Sequence, residues 1–183
     1  MNNTLNEVKK ITFVASECQP FIASGGLGDV VGSLPQKIVK NGKGEYQVTV
    51  ILPYYSKINP KFRNKLVYVT QIVVNLSWRK QYCGIYKYEL GGVTYYFLDN
   101  EYYFKRGSIY GDFDDAERFA FFGKAVLDIM PIIDFYPDIL HANDWQSATT
   151  IIYLKRKYYL NPYYCDIKTI YTIHNIDYQG IYS

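Results

Sequence analysis

An apolar run, Ile11 to Ala15, leads into Ser16-Glu17-Cys18-Gln19-Pro20-Phe21-Ile22-Ala23-Ser24-Gly25-Gly26-Leu27-Gly28-Asp29, and residues at helical spacing (Leu27, Val30, Val31, Leu34, Ile38) follow. The expected order is a strand, a Pro- and Gly-bearing loop, and a helix whose first turn carries glycines. Such a helix start leaves backbone N–H groups without intrahelical partners and points the positive end of the helix dipole at whatever lies in front of it. That arrangement suits a phosphate or another anion. Glycine there lets a ligand come close to the backbone.

The rest of the chain repeats the strand–helix theme at both ends. Residues 10–16 read as the first strand after a ragged lead-in over 1–9, and the helix that follows from about Gly26 meets Pro35, which is expected to kink or split it. Residues 40–44, Lys-Asn-Gly-Lys-Gly, stop the helix, and 47–52 form a β-branched apolar run that reads as a buried strand ended by Pro53. Residues 66–76, 83–90 and 93–98 read as strands, the last two joined by a hairpin turn at Gly91-Gly92. Residues 101–113 read as an aromatic, glycine-bearing loop. Asp114 and Asp115 start a helix carrying Phe119, Gly123, Val126 and Met130. A strand over 138–142, a loop at Asn143-Asp144-Trp145, a helix over 146–159 and a strand over 168–173 complete the pattern. Strands alternating with helices predict an α/β parallel sheet with helices on both faces and a β-hairpin insertion. Ligands then bind beyond the carboxyl ends of the strands, where Glu17, Tyr54, Asp99, Asn143, Asp144, His174 and Asn175 fall.

A chain of 183 residues with 49% hydrophobic and 20% charged residues suits one soluble domain, and a net charge of +3 is too small to argue for nucleic acid. Cys18, Cys83 and Cys165 show neither metal spacing nor a disulfide framework, which points to a reducing compartment. The first residues carry no signal core, and no run is long enough to span a membrane. The 21 tyrosines admit a sugar-stacking role, but Lys, Ile and Asn are also plentiful, and compositional drift is the simpler account.

Several constellations suggest other chemistry. Gly26, Gly28 and Gly32 imitate a dinucleotide fingerprint. The first of them, however, lies about ten residues beyond the strand, and the second strand ends in Pro53-Tyr54 rather than in an acid placed for a ribose. Asp112-Phe113-Asp114 imitates a metal-holding acid pair, yet acids just before a helix are accounted for by capping. His141 and His174 each follow an apolar strand, where a satisfied buried histidine is the default. His174 is the better functional candidate, and an Asp144–His174 pair for acid–base work is conceivable. No nucleophile elbow accompanies them, and two histidines do not make a metal site.

Taken jointly, several segments resemble the bacterial glycogen synthases and plant starch synthases: Val14-Ala15-Ser16-Glu17 with Pro20-Phe21, Gly25-Gly26-Leu27-Gly28-Asp29-Val30-Val31-Gly32 with Leu34-Pro35, Val50 to Tyr55, Asp115 to Phe122, Asp138 to Trp145, and Thr172 to Gly180. The resemblance runs from about residue 10 to residue 183. It implies a Rossmann-like domain, the N-terminal, acceptor-side half of a two-domain GT-B glycosyltransferase, incomplete at its carboxyl end and lacking the donor-nucleotide domain. The implied activity is retaining transfer of glucose from ADP-glucose to the nonreducing end of an α-1,4-glucan. No metal or other cofactor is implied, and the fragment alone is expected to be inactive. The implied partners are the nucleotide sugar, the α-glucan and the protein's own C-terminal domain, with no nucleic acid and no membrane. The implied location is cytoplasmic, or plastidic in a plant or alga.

Within that resemblance Ser24, Gly25, Gly26 and Asn175 fall on the donor side, and His174 lies by the transferred glucose. Asp144 lines the acceptor side, with Trp145, Tyr178 and Gln179 as further acceptor contacts. Two positions depart from the family pattern. Ala23 stands where a lysine contacts the donor, and Gln146 stands where a histidine follows Asp-Trp. These departures motivate two alternatives, a noncatalytic glucan-binding paralogue and a related transferase using another nucleotide sugar.

Overall fold

The computed structural model describes residues 7–181. The lead-in at 1–6 and the terminal Tyr182-Ser183 lie outside the described residues. In chain order the elements are β1 (Lys9–Val14), α1 (Gly26–Asn41), β2 (Tyr46–Pro53), α2 (Pro60–Arg63), β3 (Val67–Leu76) and β4 (Arg79–Leu90). They continue with β5 (Val93–Asp99), α3 (Glu101–Phe104), α4 (Asp115–Ile129), β6 (Ile139–Asn143), α5 (Trp145–Lys157) and β7 (Lys168–Thr172).

One seven-stranded sheet runs β3-β4-β5-β2-β1-β6-β7. The five strands from β5 to β7 pair in parallel, while β4 and β3 add to β5 as antiparallel ribbons. The sequence pattern follows from this arrangement. Strands covered on both faces are buried throughout and mostly apolar, as Val48 to Pro53 of β2 are, where the one polar residue, Thr49, meets the Thr12 hydroxyl at 2.9 Å. The outer β3 is exposed along most of its length, and from Val69 to Leu76 its residues alternate between an exposed and a more covered face, although their polarity does not follow that alternation. The expected hairpin turn is present, with Gly91 and Gly92 at φ 61° and 79°, the left-handed pair that a two-residue turn needs.

Three expectations need correction. Pro35 does not split α1, which is a single helix of 16 residues. Leu27, Val31 and Pro35 recur at four-residue spacing on its buried face, so packing compensates the hydrogen bond that proline cannot donate. Strand β4 begins at Arg79 rather than Cys83, because its first residues belong to a second hairpin with β3 that turns at Ser77-Trp78. The stretch 101–113 contains α3, whose N-cap Asn100 accepts a hydrogen bond from the Tyr103 N–H at 3.1 Å.

The β1-to-β2 crossover through α1 moves one way across the sheet, and the β5-to-β6 and β6-to-β7 crossovers through α4 and α5 move the other way. With the usual right hand, α1 and the α4–α5 pair therefore cover opposite faces. The loops leaving β1 and β6 diverge where the strand order reverses, and they open a crevice there.

Candidate functional site

The crevice is a cleft of about 1080 Å³. Its first wall is the loop from β1 to α1, and a buried carboxylate shapes that loop. Glu17 accepts hydrogen bonds from the Ser24 N–H, from the Ser24 hydroxyl at 2.9 Å, from the Gly25 N–H at 3.2 Å and from the Tyr110 hydroxyl at 2.6 Å. The Tyr110 hydroxyl also lies 2.6 Å from that of Ser16. Burial and the neighbouring Tyr55 and Glu17 hold the Tyr110 phenol far above its ordinary pKa, so it stays protonated and donates. The Ser24 and Gly25 N–H groups are thus already engaged. Those left at the helix start are Gly26 and Leu27, which by helix geometry have no intrahelical acceptor.

The glycines of this segment separate into two kinds. A Cβ on Gly28 would strike Ala23, and one on Gly32 would come within 2.7 Å of the Gln19 carbonyl. Those two glycines let α1 pack on its own loop. A Cβ on Gly25 or Gly26 would meet nothing, and neither residue has a left-handed φ. The protein itself does not require glycine at these two positions, and both line the cleft.

The second wall is the β6–α5 junction. Asp144 is held at φ 58°, ψ 173°, a region that costs a side-chain-bearing residue on the order of 1–3 kcal/mol. Its partners hold it there. Its N–H donates to the Thr172 carbonyl at 2.9 Å, its carbonyl accepts from the Ser147 hydroxyl at 3.0 Å, and its carboxylate accepts from the His174 N–H at 2.7 Å. The Asp144–His174 pair therefore forms through the backbone of His174, not through the imidazole, and the acid–base pairing is not made. The His174 ring is fixed by the preceding residue instead. Asn143 spends its amide N–H groups on the Val14 and His141 carbonyls, so its oxygen faces His174 Nε2 at 3.0 Å. An amide oxygen only accepts, so Nε2 carries the proton.

His141 takes the structural role expected of it, with Nε2 2.7 Å from the Thr172 hydroxyl and its ring 4.8 Å from that of Phe13. Burial, and then the nearby His174, lower its pKa from the ordinary histidine value.

The loop after β7 crosses the cleft with Asn175, Asp177, Tyr178 and Gln179 on its lining, and Gly180, at φ 63°, lies against the Trp145 ring. Ser24, Gly25, Gly26, Asp144, Trp145, His174, Asn175, Tyr178 and Gln179 are thus all brought to one cavity. Gln146 lines it as well. Ala23 does not, and faces a neighbouring cavity of about 590 Å³.

Tyr110 and Asp115 complete the rim. Sequence reasoning missed both: Tyr110 is marked by its bond to Glu17, 93 residues away, and Asp115, whose contacts to Gly111 and Arg118 are local, reads in the sequence as an ordinary acid at a helix start. Asp114 stands at the N-cap position of α4, as expected, but the acids before this helix are engaged by arginines rather than by its N–H groups. Asp114 makes no capping hydrogen bond and pairs through both oxygens with Arg106, while Asp112 lies 2.6 Å from the buried Arg118. Bidentate pairing with arginine competes successfully with the helix N–H groups. Among the described residues, no group of three or more His, Cys, Asp or Glu side chains is arranged to hold a metal. Those lining the cleft bring the carboxylates of Glu17, Asp115, Asp144 and Asp177 and no Lys or Arg.

Residues 10–183 match the starch synthase catalytic domain family. A glycogen synthase of Anoxybacillus flavithermus is 48% identical over 173 residues, 94% of this chain and 35% of that protein. One from Streptococcus pneumoniae is 52% identical over 174 residues, 95% of this chain and 36% of that protein. Among solved structures, the catalytic domain of starch synthase IV from Arabidopsis thaliana, bound to ADP and acarbose, superposes with a TM-score of 0.82 at 26% identity, covering 95% of this chain and 35% of that one. The chain spans about a third of the length of these relatives.

Proposed function

The chain belongs to the starch synthase catalytic domain family, and from that premise we propose that it forms the acceptor-side half of a retaining glucosyltransferase, a glycogen or starch synthase of the GT-B type. The full-length protein moves glucose from ADP-glucose to the nonreducing end of an α-1,4-glucan, in the cytoplasm or, in a plant or alga, in a plastid. The observation that carries this reading is the convergence of the glycine loop, the β6–α5 junction and the loop after β7 on one cleft. That the Arabidopsis structure contains ADP supports adenine nucleotide as the donor's leaving group.

Within this reading the residues divide the work. Gly26 and Leu27 offer backbone N–H groups to the donor, and the Glu17-braced loop keeps them in place. His174 positions the transferred glucose, and Asn175 lies beside it. Asp144 holds the backbone at His174, while Trp145, Tyr178 and Gln179 line the acceptor path. Transfer occurs at the front face without a covalent enzyme intermediate. Among the described residues the cleft lining carries acids and no Lys or Arg, so charge stabilisation of departing ADP falls to the second domain. No metal or cofactor is required. Incubating the full-length protein with ADP-glucose or UDP-glucose and glycogen tests the reading. Failure to lengthen the glucan with either donor overturns it, and competition between donors identifies the nucleotide sugar.

Ala23 favours a second reading, a noncatalytic glucan-binding paralogue. Ala23→Lys in the full-length protein separates the two. A large rise in donor affinity or rate marks a damaged site. An active enzyme that the substitution leaves unchanged marks a cation supplied from elsewhere.

A further inference from the structure

Buried polar atoms without a partner are rare in folded proteins, and each calls for an explanation. Among the described residues, the side-chain atoms in this position are Tyr55 Oη, Asp115 Oδ1, Arg118 Nε, Gln146 Oε1 and Thr150 Oγ1. Asp115 and Gln146 line the cleft, whereas Tyr55, Arg118 and Thr150 do not. The Asp115 oxygen is 3.3 Å from Arg118 Nη1, an ion pair without hydrogen-bond geometry. Gln146 has no such relief, although it is only 6% exposed.

The two oxygens belong to neighbouring helix starts. Phe119, one turn beyond Asp115, packs edge-on against Trp145, the residue before Gln146, with ring centroids 5.2 Å apart. The Thr149 hydroxyl, on the next turn of α5, donates to the Phe119 carbonyl at 3.0 Å. An amide oxygen and a carboxylate oxygen only accept hydrogen bonds. Diphosphate oxygens are acceptors too, and they carry negative charge toward Asp115. The ligand group that satisfies this end of the cleft is therefore a donor, which in a nucleotide sugar is a sugar hydroxyl rather than a phosphate oxygen.

We propose that Gln146 Oε1 accepts a hydrogen bond from one hydroxyl of the bound glucosyl unit, so that the start of α5, packed against the first turns of α4, forms the hydroxyl-reading end of the cleft. This inference rests on the glucosyltransferase reading and adds a specificity-determining residue to it. Gln146 recognises the sugar through a buried acceptor, and a sugar lacking that hydroxyl leaves the acceptor unpaired.

The test uses the full-length protein and a set of ADP-glucose analogues, each lacking one sugar hydroxyl. The native protein is expected to reject one analogue by about 10-fold or more in kcat/KM, because a site built to bond a hydroxyl discriminates strongly against its absence. Gln146→Met, of similar shape but without the acceptor, is expected to lose that discrimination and to process the parent donor and the analogue equally. Thr150→Val removes an unpartnered hydroxyl one turn further along α5 and is expected to leave the pattern untouched. If Gln146→Met does not fold, Gln146→Glu keeps an acceptor and is expected to keep the discrimination. A native protein that accepts all analogues alike, a Met variant that retains every preference, or a Glu variant that loses them, overturns the inference. Absence of transfer from the parent donor overturns instead the reading on which it rests.

Discussion

Gly26 and Gly32 carry opposite obligations although they stand six positions apart. Gly26 has open space where a side chain would begin, and Gly32 has the Gln19 carbonyl. Gly32→Ala is expected to destabilise the protein by about 1–3 kcal/mol, the usual cost of overpacking. Gly26→Ala is expected to hold or raise stability by up to about 1 kcal/mol, since alanine restricts the unfolded chain, while reducing the glucosyl transfer proposed for the full-length protein, because its methyl group enters the cleft. Thermal unfolding and activity of the two variants, measured side by side, check this. Equal losses of stability in both would contradict it. Asp144 shows the same logic in the backbone. A residue that tolerates a glycine-like conformation does so because three hydrogen bonds fix it, one of them from the loop that carries His174.

At the level of elements, β6 and β7 are joined by a titratable contact. His141, on β6, meets the Thr172 hydroxyl at the end of β7, and its pKa is lowered chiefly by burial. A histidine that the fold holds neutral binds fewer protons folded than unfolded, so stability rises with pH through the window between the two pKa values. Acidification below the ordinary histidine value of 6.5 is therefore expected to lower the melting temperature, and His141→Gln is expected to remove that part of the dependence. Melting curves between pH 7 and pH 5 give the measurement. The paired acids Asp114 and Asp138 have pKa values pushed below 3.8, so their loss falls in a separate, more acidic window.

The elements also differ in how plainly the sequence announced them. Strand β2 was legible because a strand covered on both faces is rich in β-branched and apolar residues on consecutive positions, with only Thr49 polar between Val48 and Pro53. The start of β4, Arg79-Lys80-Gln81, was not, because its ladder partners are backbone groups and its side chains meet solvent or ions. The four-residue α2 and α3 are too short to show a period. In the cleft, the residues flanking strand ends could be found from position alone. The Tyr110 contact to Glu17 spans 93 residues, and nothing local to either residue signals it. Pro35 misled because the rule that proline breaks helices omits the tertiary packing that holds this one together.

On the scale of the whole molecule, the two edges of the sheet are unlike. The β3 edge belongs to an antiparallel ribbon, where one open face is ordinary. At the β7 edge, consecutive residues Ile170 and Tyr171 are 45% and 43% exposed, so both faces are open on a parallel strand. Parallel strands are normally covered on both sides, and an open edge of this kind pairs readily with another chain. Expressed alone, residues 1–183 are expected to self-associate through this edge in light scattering, and Ile170→Lys is expected to reduce the effect. A monodisperse monomer would refute it.

The sheet order also bears on how the chain is made. Strand β1 leaves the ribosome first yet lies between β2 and β6, and its second neighbour begins at Ile139. During synthesis, while β2 to β5 have assembled on one flank, the other flank of β1 stays an open apolar edge until about 130 further residues have emerged, which at ~5–20 residues per second takes several seconds or more. The strand that carries the glycine loop is thus the one that waits longest for its second partner. A pause or a premature stop before β6 leaves the centre of the future sheet open to any passing strand.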